Sequence, residues 1–435
     1  MISSETIDER RMRMKMPELL SPAGNFEKMQ AALRYGADAV YLAGQRFGMR
    51  SAADNFSIDE LDAAVAYAHE RGKKIYLTLN TMPRAHEYAD LRAFICELRD
   101  RAVLVDAVIV ADLGVMDTVR ELWPEMEIHI STQAGICSPA TAQSFVRLGA
   151  KRLVLARELN LDEIRAIRQA IPDDIELEAF MHGSMCVSYS GRCMLSNELT
   201  GRDGNRGACA QPCRWNYTLV EEKRPDQPLP IETTDLGTFI LSSKDMCMID
   251  HIPELMNSGI NSFKIEGRMK SAYYTAVVTN AYRMAMDAYA ADPERYIYRA
   301  EWMRELESVS HREYCTGYYL DDCRKESNLA STVGYIREKA YFAIARPYNE
   351  VTPPAALPPM TTEQGTLAFF KLKNKICVGD HAELLTPGQI GKPFVVQELY
   401  DAEGNPIPAA PHPSQPFYVR VPFDVKEGDI LRAGE

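Results

Sequence analysis

Apolar runs rich in β-branched residues alternate with amphipathic helical stretches from Met16 onward. Runs that are apolar on both faces are typical of parallel strands covered by helices on either side. Helical periodicity lies between most runs, for example at Leu161, Ile164 and Ile167, which share one helix face. Eight runs predict strands: Glu18–Ala23, Ala39–Ala43, Lys74–Asn80, Ala107–Asp112, Glu127–Thr132, Arg152–Arg157, Glu176–Met181 and Ser262–Glu266.

Eight strands with interleaved helices predict a closed (β/α)8 TIM-like barrel over residues 16–330, preceded by a mobile N-terminal arm at residues 1–15. An open doubly wound sheet is the alternative. No G-x-G-x-x-G motif follows the first strand, which disfavours a dinucleotide-binding sheet.

The strand–helix rhythm breaks between the seventh and eighth strands, where an insert at residues 183–245 carries four cysteines. A hairpin is predicted within it, from Trp215–Glu222 and Phe239–Ser243. In a barrel such an insert lies at the C-terminal face, where active sites are built. From 331 to 435, short runs split by Pro, Gly and Asn predict a small C-terminal all-β domain, a barrel or a sandwich. The runs are Gly334–Arg337, Tyr341–Arg346, Leu367–Lys371, Ala382–Leu385, Phe394–Leu399 and Phe417–Val421.

Composition places the 435-residue chain among globular proteins, with 46% hydrophobic and 25% charged residues. The net charge of −12 disfavours general binding along a nucleic acid backbone. No run is long and apolar enough for a membrane helix, so no membrane association is expected. The charged first fifteen residues lack the apolar core of a secretory signal, so we expect a cytoplasmic protein with reduced cysteines.

The insert carries a C-x6-C-x15-C-x3-C pattern formed by Cys186, Cys193, Cys209 and Cys213. Four thiolates within one short, glycine-rich segment of an intracellular chain predict a metal site. The wide spacing favours an iron–sulfur cluster, [4Fe–4S], over zinc, because zinc ribbons use two close cysteine pairs. Zinc, or four reduced cysteines without metal, are the alternatives. The other six cysteines are scattered and are predicted to be small buried hydrophobes.

Polar residues stand at or near the predicted C-terminal strand ends, where barrel enzymes place their sites. We predict catalytic roles for Glu178, His182, Lys264, Glu266 and Arg268. Substrate binding is predicted for Asn80, Gln133 and Arg157, and for Arg206 and Arg214 beside the cysteines, where local basicity suits a carboxylate or polyanionic ligand. The alternatives are an internal salt-bridge network for Lys264, Glu266 and Arg268, and solvated arginines in the insert.

Several motifs resemble the collagenase-like peptidase family, and within it the branch of tRNA hydroxylation proteins. They are PELLSPAG at 17–24, ISTQ at 130–133, EAFMHGSMC at 178–186, YSGRCMLS at 189–196 and KIEGR at 264–268. The resemblance covers nearly the whole chain. It implies that Cys186, Cys193, Cys209 and Cys213 bind an iron–sulfur cluster.

The resemblance also implies an activity: formation of 5-hydroxyuridine at the wobble position of tRNA, with prephenate as co-substrate and source of the hydroxyl group. The implied partners are a tRNA anticodon loop, this small carboxylate and, as a further candidate, a paralogous subunit of the family.

The peptidase name points to a different class of function. The sequence contains neither H-E-x-x-H nor G-x-S-x-G, so no hydrolytic motif is visible. A metal saturated by four thiolates would leave no position for an attacking water. The sequence therefore favours wobble-uridine hydroxylation, with a collagenase-like protease or an iron–sulfur accessory or scaffold subunit as alternatives.

Overall fold

The computed structural model describes residues 16–49, 54–186, 188–215, 233–234, 237–238, 243–320, 336, 339–347, 354–363 and 365–434. The predicted arm at residues 1–15 and most of the predicted hairpin, at 216–222 and 239–242, lie outside the described residues. No helix within the described ranges is long and apolar enough to cross a lipid bilayer.

Within the described residues, eight parallel strands close into a barrel. The strands up to residue 320 are β1 Glu18–Pro22, β2 Ala39–Leu42, β3 Lys74–Leu79, β4 Ala107–Val110, β5 Ile128–Ile130, β6 Arg152–Val154, β7 Glu176–Ser184, β8 Thr233–Thr234, β9 Gly237–Thr238, β10 Asp245–Cys247, β11 Ser262–Ile265 and β12 Tyr314–Cys315. Strands β1 to β7 follow one another around the barrel, and β11 pairs in parallel with both β7 and β1. The predicted barrel is confirmed, and the open doubly wound sheet is wrong.

Helices cover the outside of the barrel, except for the short helix Leu195–Thr200, which belongs to the cysteine insert. They are α1 Phe26–Arg34, α2 Ile58–His69, α3 Tyr88–Asp100, α4 Leu113–Leu122, α5 Pro139–Arg147, α6 Leu161–Ala170, α7 Leu195–Thr200, α8 Ile252–Met256, α9 Ala272–Ala291 and α10 Ala300–Glu307. Side chains that accept backbone N–H bonds start several of them, such as Ser57 at α2 and Asn160 at α6. These caps satisfy backbone donors that the first helical turn leaves unpaired.

The insert attaches to the barrel through β7. Strand β7 runs on to Ser184 and pairs antiparallel with β10, which in turn pairs with β12. Because β7 projects beyond its neighbours in the barrel, the cysteines that follow it stand above the carboxyl ends of the strands.

A second, antiparallel sheet follows the barrel. Its region contains β13 Tyr341–Ala345, β14 Thr361–Thr362, β15 Gly365–Leu372, β16 Ile376–Cys377, β17 His381–Leu385, β18 Lys392–Val395, β19 Leu399–Tyr400, β20 Ala409–Ala410, β21 Pro416–Val421 and β22 Ile430–Ala433. The run predicted at Phe394–Leu399 is divided between β18 and β19. Strand β22, which sequence analysis missed, pairs with both β13 and β17.

Arg432 on β22 joins the second sheet to the barrel helices. Its guanidinium is 1% exposed and donates to Glu305 on α10 at 2.7 and 2.8 Å and to Glu383 on β17 at 2.8 Å. A second contact between the two regions runs from the hydroxyl of Tyr35 to the carbonyl of Leu385, at 2.8 Å. The buried charges of Arg432, Glu305 and Glu383 are tolerated because each has an ionic partner.

We expect Arg432→Met to lower the free energy of unfolding by about 3 kcal/mol, because two buried carboxylates would lose their shared cation. Urea unfolding at pH 7, followed by circular dichroism, measures the change. Arg304→Met is the matched control, since that side chain is 68% exposed on α10, beside Glu305, and its loss should cost under about 1 kcal/mol. Equal midpoints for the two variants would contradict this role of Arg432.

Candidate functional site

A cavity of about 440 Å³ opens at the carboxyl ends of the barrel strands, between the barrel and the cysteine insert. Among the described residues, five cationic side chains and one carboxylate line it: Arg157, Arg214, Lys264, Arg268, Lys270 and Glu266. Uncharged polar groups from β3 and from the turn after β5 complete one wall. This balance of charges suits an anionic ligand.

All ten predicted catalytic and substrate-binding residues belong to the described part of the chain, and seven of them line this cavity. They are Asn80, Gln133, Arg157, Arg214, Lys264, Glu266 and Arg268. Glu178, His182 and Arg206 are not among the lining residues. The polar residues at the predicted strand ends therefore indicated the end of the barrel at which the cavity lies. They did not indicate which side chains lie below it.

The turn after β11 brings Glu266 and Arg268 to the cavity beside Lys264. Gly267 makes this turn possible with a φ of +156°, and a Cβ there would lie 2.6 Å from the Tyr274 ring. Two of the three side chains contact other barrel strands here: Lys264 pairs with Glu178 on β7, and the Arg268 Nη1 lies 3.3 Å from the Thr78 hydroxyl on β3.

Glu266 has partners on two sides. The hydroxyl of Tyr41 donates to its carboxylate at 3.2 Å, and the Arg157 Nη2 lies 3.8 Å away. Arg157 also donates to the Ser184 carbonyl at 2.9 Å and lies over the Phe180 ring. These contacts fix the directions of both charges at the cavity wall.

Glu178 lies beneath the cavity and is fully buried. Its carboxylate accepts a hydrogen bond from the Lys264 Nζ at 2.7 Å and another from Arg152 at 3.2 Å. Arg152 also pairs with Glu18 at 2.6 Å. Burial alone would raise the pKa of Glu18, but Arg152 holds that pKa below its usual value. This geometry favours a positioning role for Glu178, which holds Lys264 at the cavity floor, over contact with a substrate.

His182 is enclosed by tyrosines and does not reach the cavity. Its ring lies 5.4 Å from the rings of Tyr282 and Tyr314, and its Nδ1 is 3.2 Å from the Tyr282 hydroxyl. Burial lowers the pKa of His182 to about 3, so the imidazole is neutral at ordinary pH. We reassign His182 from a catalytic group to the support of β7.

Arg206 anchors the insert to the barrel. Its guanidinium forms two hydrogen bonds of 2.6 Å with the carboxylate of Glu87, just before α3. This bidentate bond holds the pKa of Glu87 down at about 2. Two further anchors are the hydrogen bonds from the Arg192 Nε to the Gln133 carbonyl, at 2.8 Å, and from the Ser190 hydroxyl to Glu158, at 2.8 Å.

One polar atom of the Gln133 side chain has no hydrogen-bond partner among the described residues. The side chain is 5% exposed and lines the cavity. Its Oε1 lies 3.4 Å from the Ser131 hydroxyl, whereas its Nε2 has no hydrogen-bond partner among the described residues. A buried donor left unpaired is costly, and an acceptor on a ligand would satisfy it.

The four predicted cluster ligands line the same cavity. They are Cys186, Cys193, Cys209 and Cys213. The backbone N–H of Leu195 donates to the Cys193 sulfur, and that of Gln211 donates to the Cys209 sulfur, each at 3.3 Å. Such bonds stabilise negative charge on sulfur, as iron–sulfur sites require.

Two residues that sequence analysis missed hold the cysteine segment in shape. Asn205 clamps the Cys193 backbone, accepting from its N–H at 3.1 Å and donating to its carbonyl at 2.9 Å. The Ser196 hydroxyl donates to the Arg202 carbonyl at 2.5 Å and accepts from the Ala210 N–H at 2.9 Å. Nothing in the local sequence pattern separates these residues from other polar residues of the loop.

The four insert cysteines are the residues that could hold a metal centre at this cavity. Within the described ranges, no three His, Cys, Asp or Glu side chains are arranged to share one metal ion. Zinc needs its sulfurs about 2.3 Å from one point, whereas a four-iron cluster binds each thiolate through a different iron. Sulfurs around a shared cavity, with N–H donors beside two of them, suit the cluster.

The scattered cysteines follow the prediction only in part. Cys247 is buried, and its burial raises the pKa of the thiol to about 12. Cys137 is exposed, so its assignment as a buried hydrophobe is wrong, while Cys96, Cys315 and Cys377 are half-buried. Cys323 lies outside the described residues.

Lys270 is a further cavity residue that sequence analysis did not assign. Its Nζ donates to the Ser310 carbonyl at 2.8 Å and lies over the Tyr274 ring. Burial lowers the pKa of Lys270 to about 8, and the negative charge of the nearby Asp245 opposes part of this shift.

The fold and the site together define the class of protein. It is a (β/α)8 barrel with four insert cysteines, a candidate metal centre, at the carboxyl ends of its strands. Residues 24–329 match the family described as Peptidase family U32, and residues 360–432 match the Peptidase family U32 C-terminal domain. The chain belongs to peptidase family U32, which confirms the resemblance seen in the motifs.

Three of the relatives that the chain resembles are named for the modification of RNA. The chain is 36% identical to tRNA hydroxylation protein P1 of Bacillus subtilis, covering 99% of this chain and 98% of the relative. It is 34% identical to tRNA hydroxylation protein P of Escherichia coli, covering 95% of each. The 23S rRNA 5-hydroxycytidine C2501 synthase of Escherichia coli is 40% identical, over 62% of this chain and 39% of the relative.

The buried neutral His182 predicts a contribution to acid sensitivity. Its pKa of about 3 in the fold lies below its unfolded value near 6.5, so the unfolded chain binds more protons between these pH values. The stability it contributes is present above pH 6.5 and is lost as pH falls, by up to about 1.4 kcal/mol per pH unit. We expect His182→Gln to flatten the fall in the thermal-unfolding midpoint between pH 6.5 and pH 4.5.

His412→Gln, at an exposed position, is the control and should follow the wild-type pH dependence. The assignment fails if His182→Gln and the wild type show parallel curves across this range.

Proposed function

We propose that this chain hydroxylates uridine at the wobble position of tRNA, forming 5-hydroxyuridine, with an iron–sulfur cluster on its four insert cysteines and prephenate as the source of the hydroxyl group. The observation that carries the proposal is the cavity that joins Cys186, Cys193, Cys209 and Cys213 to the cation-lined barrel mouth. The names of the two relatives aligned over nearly the whole chain support the same activity.

The cations of the cavity suit the proposed co-substrate. Prephenate carries two carboxylates, and arginine binds a carboxylate through two parallel hydrogen bonds. Lys264 and Arg268 are only 5% and 3% exposed, so their charges act in a medium of lower dielectric constant than water. In this proposal Arg157 and Arg268 orient the carboxylates, and Lys264 stabilises negative charge at the cavity floor.

The uncharged wall suits a pyrimidine edge. Uracil presents two carbonyl oxygens and one N–H, which match the donors and acceptors of the Gln133 and Asn80 amides. The unpaired Gln133 Nε2 would find its acceptor on such an edge. A wobble nucleotide in an anticodon loop is already partly unstacked, so moving it into the cavity costs little.

The chemistry requires an oxidant as well as an oxygen atom. Replacing the C5–H bond of uracil by C5–OH removes two electrons from the base. In this proposal the carbon–hydroxyl bond of the co-substrate breaks and its oxygen forms the new C5–O bond, while the co-substrate takes up the two electrons and a hydrogen in place of its hydroxyl group. A cluster on the insert cysteines would supply electron transfer at the cavity wall.

Hydrolysis, which the family name suggests, has less support from the cavity. Among the described residues that line it there is no histidine, so a serine or cysteine nucleophile there would lack the usual base. Four thiolates committed to a cluster would also leave no position for a metal-bound water.

The first test of the proposal is metal content. We expect protein purified without oxygen to be brown and to contain iron and acid-labile sulfide. Replacing any one of the four insert cysteines by Ser should remove most of the visible absorbance, because each thiolate holds one iron. Cys96→Ser, outside the insert, is the control and should keep the colour. Stoichiometric zinc without iron would refute the cluster.

The second test is the product. We expect nucleoside analysis of bulk tRNA to show loss of 5-hydroxyuridine when the gene is deleted and recovery on complementation. Lys264→Ala and Arg268→Ala should lower recovery at least tenfold while leaving the cluster absorbance intact, because both residues lie outside the cysteine loop. Arg304→Ala, an exposed cation on α10, should restore modification fully.

Unchanged 5-hydroxyuridine in the deletion strain would reject the function, and the protease or accessory alternatives would then gain support. Full modification by the Lys264 and Arg268 variants would instead reject the placement of the site.

A further inference from the structure

Large apolar side chains are exposed around the mouth of the cavity. Tyr189, Met194 and Trp215 of the insert are 53%, 60% and 43% exposed, and Met269 after β11 is 47% exposed. Isolated exposed apolar residues are ordinary, but several beside one another at a cavity mouth mark a binding surface.

Chain neighbours fix the position of these side chains. Tyr189 precedes the cavity-lining Ser190, and Met194 lies between the lining residues Cys193 and Leu195. Trp215 follows the lining residue Arg214, and Met269 itself lines the cavity. Each of the four residues therefore lines the cavity or is the chain neighbour of a residue that does, and each is exposed to solvent.

Two exposed arginines accompany them at fixed positions. The Arg192 Nε donates to the Gln133 carbonyl at 2.8 Å, and the Arg202 Nε donates to the Ala208 carbonyl at 3.0 Å. A guanidinium held by its Nε presents its charge at a defined place and loses little further entropy on binding. We call the six residues together the rim: Tyr189, Arg192, Met194, Arg202, Trp215 and Met269.

The rim aromatics offer flat faces. The Tyr189 side chain is 53% exposed, so about half of its surface is open to a ligand. Trp215 ends the short turn Pro212–Arg214, which packs against α7. Exposed aromatic rings beside arginines are the elements with which proteins bind unpaired bases.

We propose that the rim binds the nucleotides that flank the target base in a single-stranded RNA loop, with Tyr189 and Trp215 stacking on bases and Arg192 and Arg202 contacting phosphates. The inference rests on the proposed function and extends it from the cavity to the surface that selects the RNA. A loop suits the rim because one nucleotide can enter the cavity while its neighbours remain outside on the rings.

The charge distribution supports RNA over a protein partner. The chain carries a net charge of −12, yet the cavity and its rim are rich in cations. A polyanion is therefore attracted to this face and repelled from most of the others. A docked protein would close the cavity without using the cations inside it.

Trp215 gives a direct readout of stacking. All three tryptophans lie in the described part of the chain, and Trp123 and Trp302 are only 8% and 2% exposed. Acrylamide quenching of tryptophan emission in the holo-protein therefore reports mainly on Trp215. We expect an anticodon stem–loop with a wobble uridine to protect this emission from acrylamide, and Trp215→Phe to remove most of the signal.

Affinity provides the second readout. Tyr189→Ala and Trp215→Ala should each weaken stem–loop binding roughly five- to 150-fold, as expected for loss of one stacked base. Tyr189→Phe and Trp215→Phe should retain most of the affinity, because a flat ring remains. Ile297→Ala, at a 78% exposed position outside the rim, is the control. Arg202→Ala should reduce the salt dependence of binding by about 0.7 in log–log slope.

The outcomes separate the rim from the function. If the wild type binds the loop and makes 5-hydroxyuridine while both alanine variants bind as tightly as the Ile297 control, the rim proposal is overturned and the function stands. If neither tRNA nor the stem–loop binds the iron-loaded wild type, and nucleoside analysis is unchanged by deletion, the function itself fails. Equal weakening for the loop and for a fully paired hairpin would show that the rim does not recognise single strands.

Discussion

A column of buried charges through the barrel interior fixes the geometry of the cavity. Glu18 and Arg152 lie toward the amino ends of the strands, Glu178 follows, and Lys264 stands at the cavity floor. Charges in such a place are tolerated only in pairs, because a single unpaired one carries a large desolvation cost. Each member therefore constrains the next, and the ammonium of Lys264 is held where four strands converge.

The cavity is assembled from two parts with separate supports. The barrel contributes its floor and walls, and the cysteine insert forms one side of the mouth. Arg206 on Glu87 ties the insert to the barrel, while Asn205 and Ser196 shape the loop internally. These contacts are hydrogen bonds and ion pairs rather than apolar packing, which suits a glycine-rich segment with little core of its own. The insert thus has a defined place above the strands through contacts made by its own side chains.

Periodicity predicted the eight barrel strands and the helices between them because each has a regular apolar pattern of its own. It also placed Lys264, Glu266 and Arg268 toward one cavity. Periodicity did not predict how deep a side chain lies. Glu178 and His182 differ from cavity residues only through partners about 25 to 100 residues away in sequence. Strand β22 was missed for a related reason, since the four residues Ile430–Ala433 become an inner strand only when β13 and β17 flank them.

The separation of roles within the cavity bears on the kind of reaction it can support. Hydrolysis needs a nucleophile and a base at hydrogen-bond distance. His182, the histidine nearest the cysteine motif in sequence, is enclosed by tyrosines and neutral. The side chains that do reach the cavity include fixed cations, amide groups, thiols, hydroxyls and the carboxylate of Glu266. In the proposed function the fixed cations would hold an anionic co-substrate, the amides would match a base edge, and the thiols would hold an electron-transfer group. These three capacities are useful together in an oxidation that uses a small acid as co-substrate and a nucleobase as substrate. The carboxylate among the described lining residues, Glu266, is engaged by Tyr41 and Arg157.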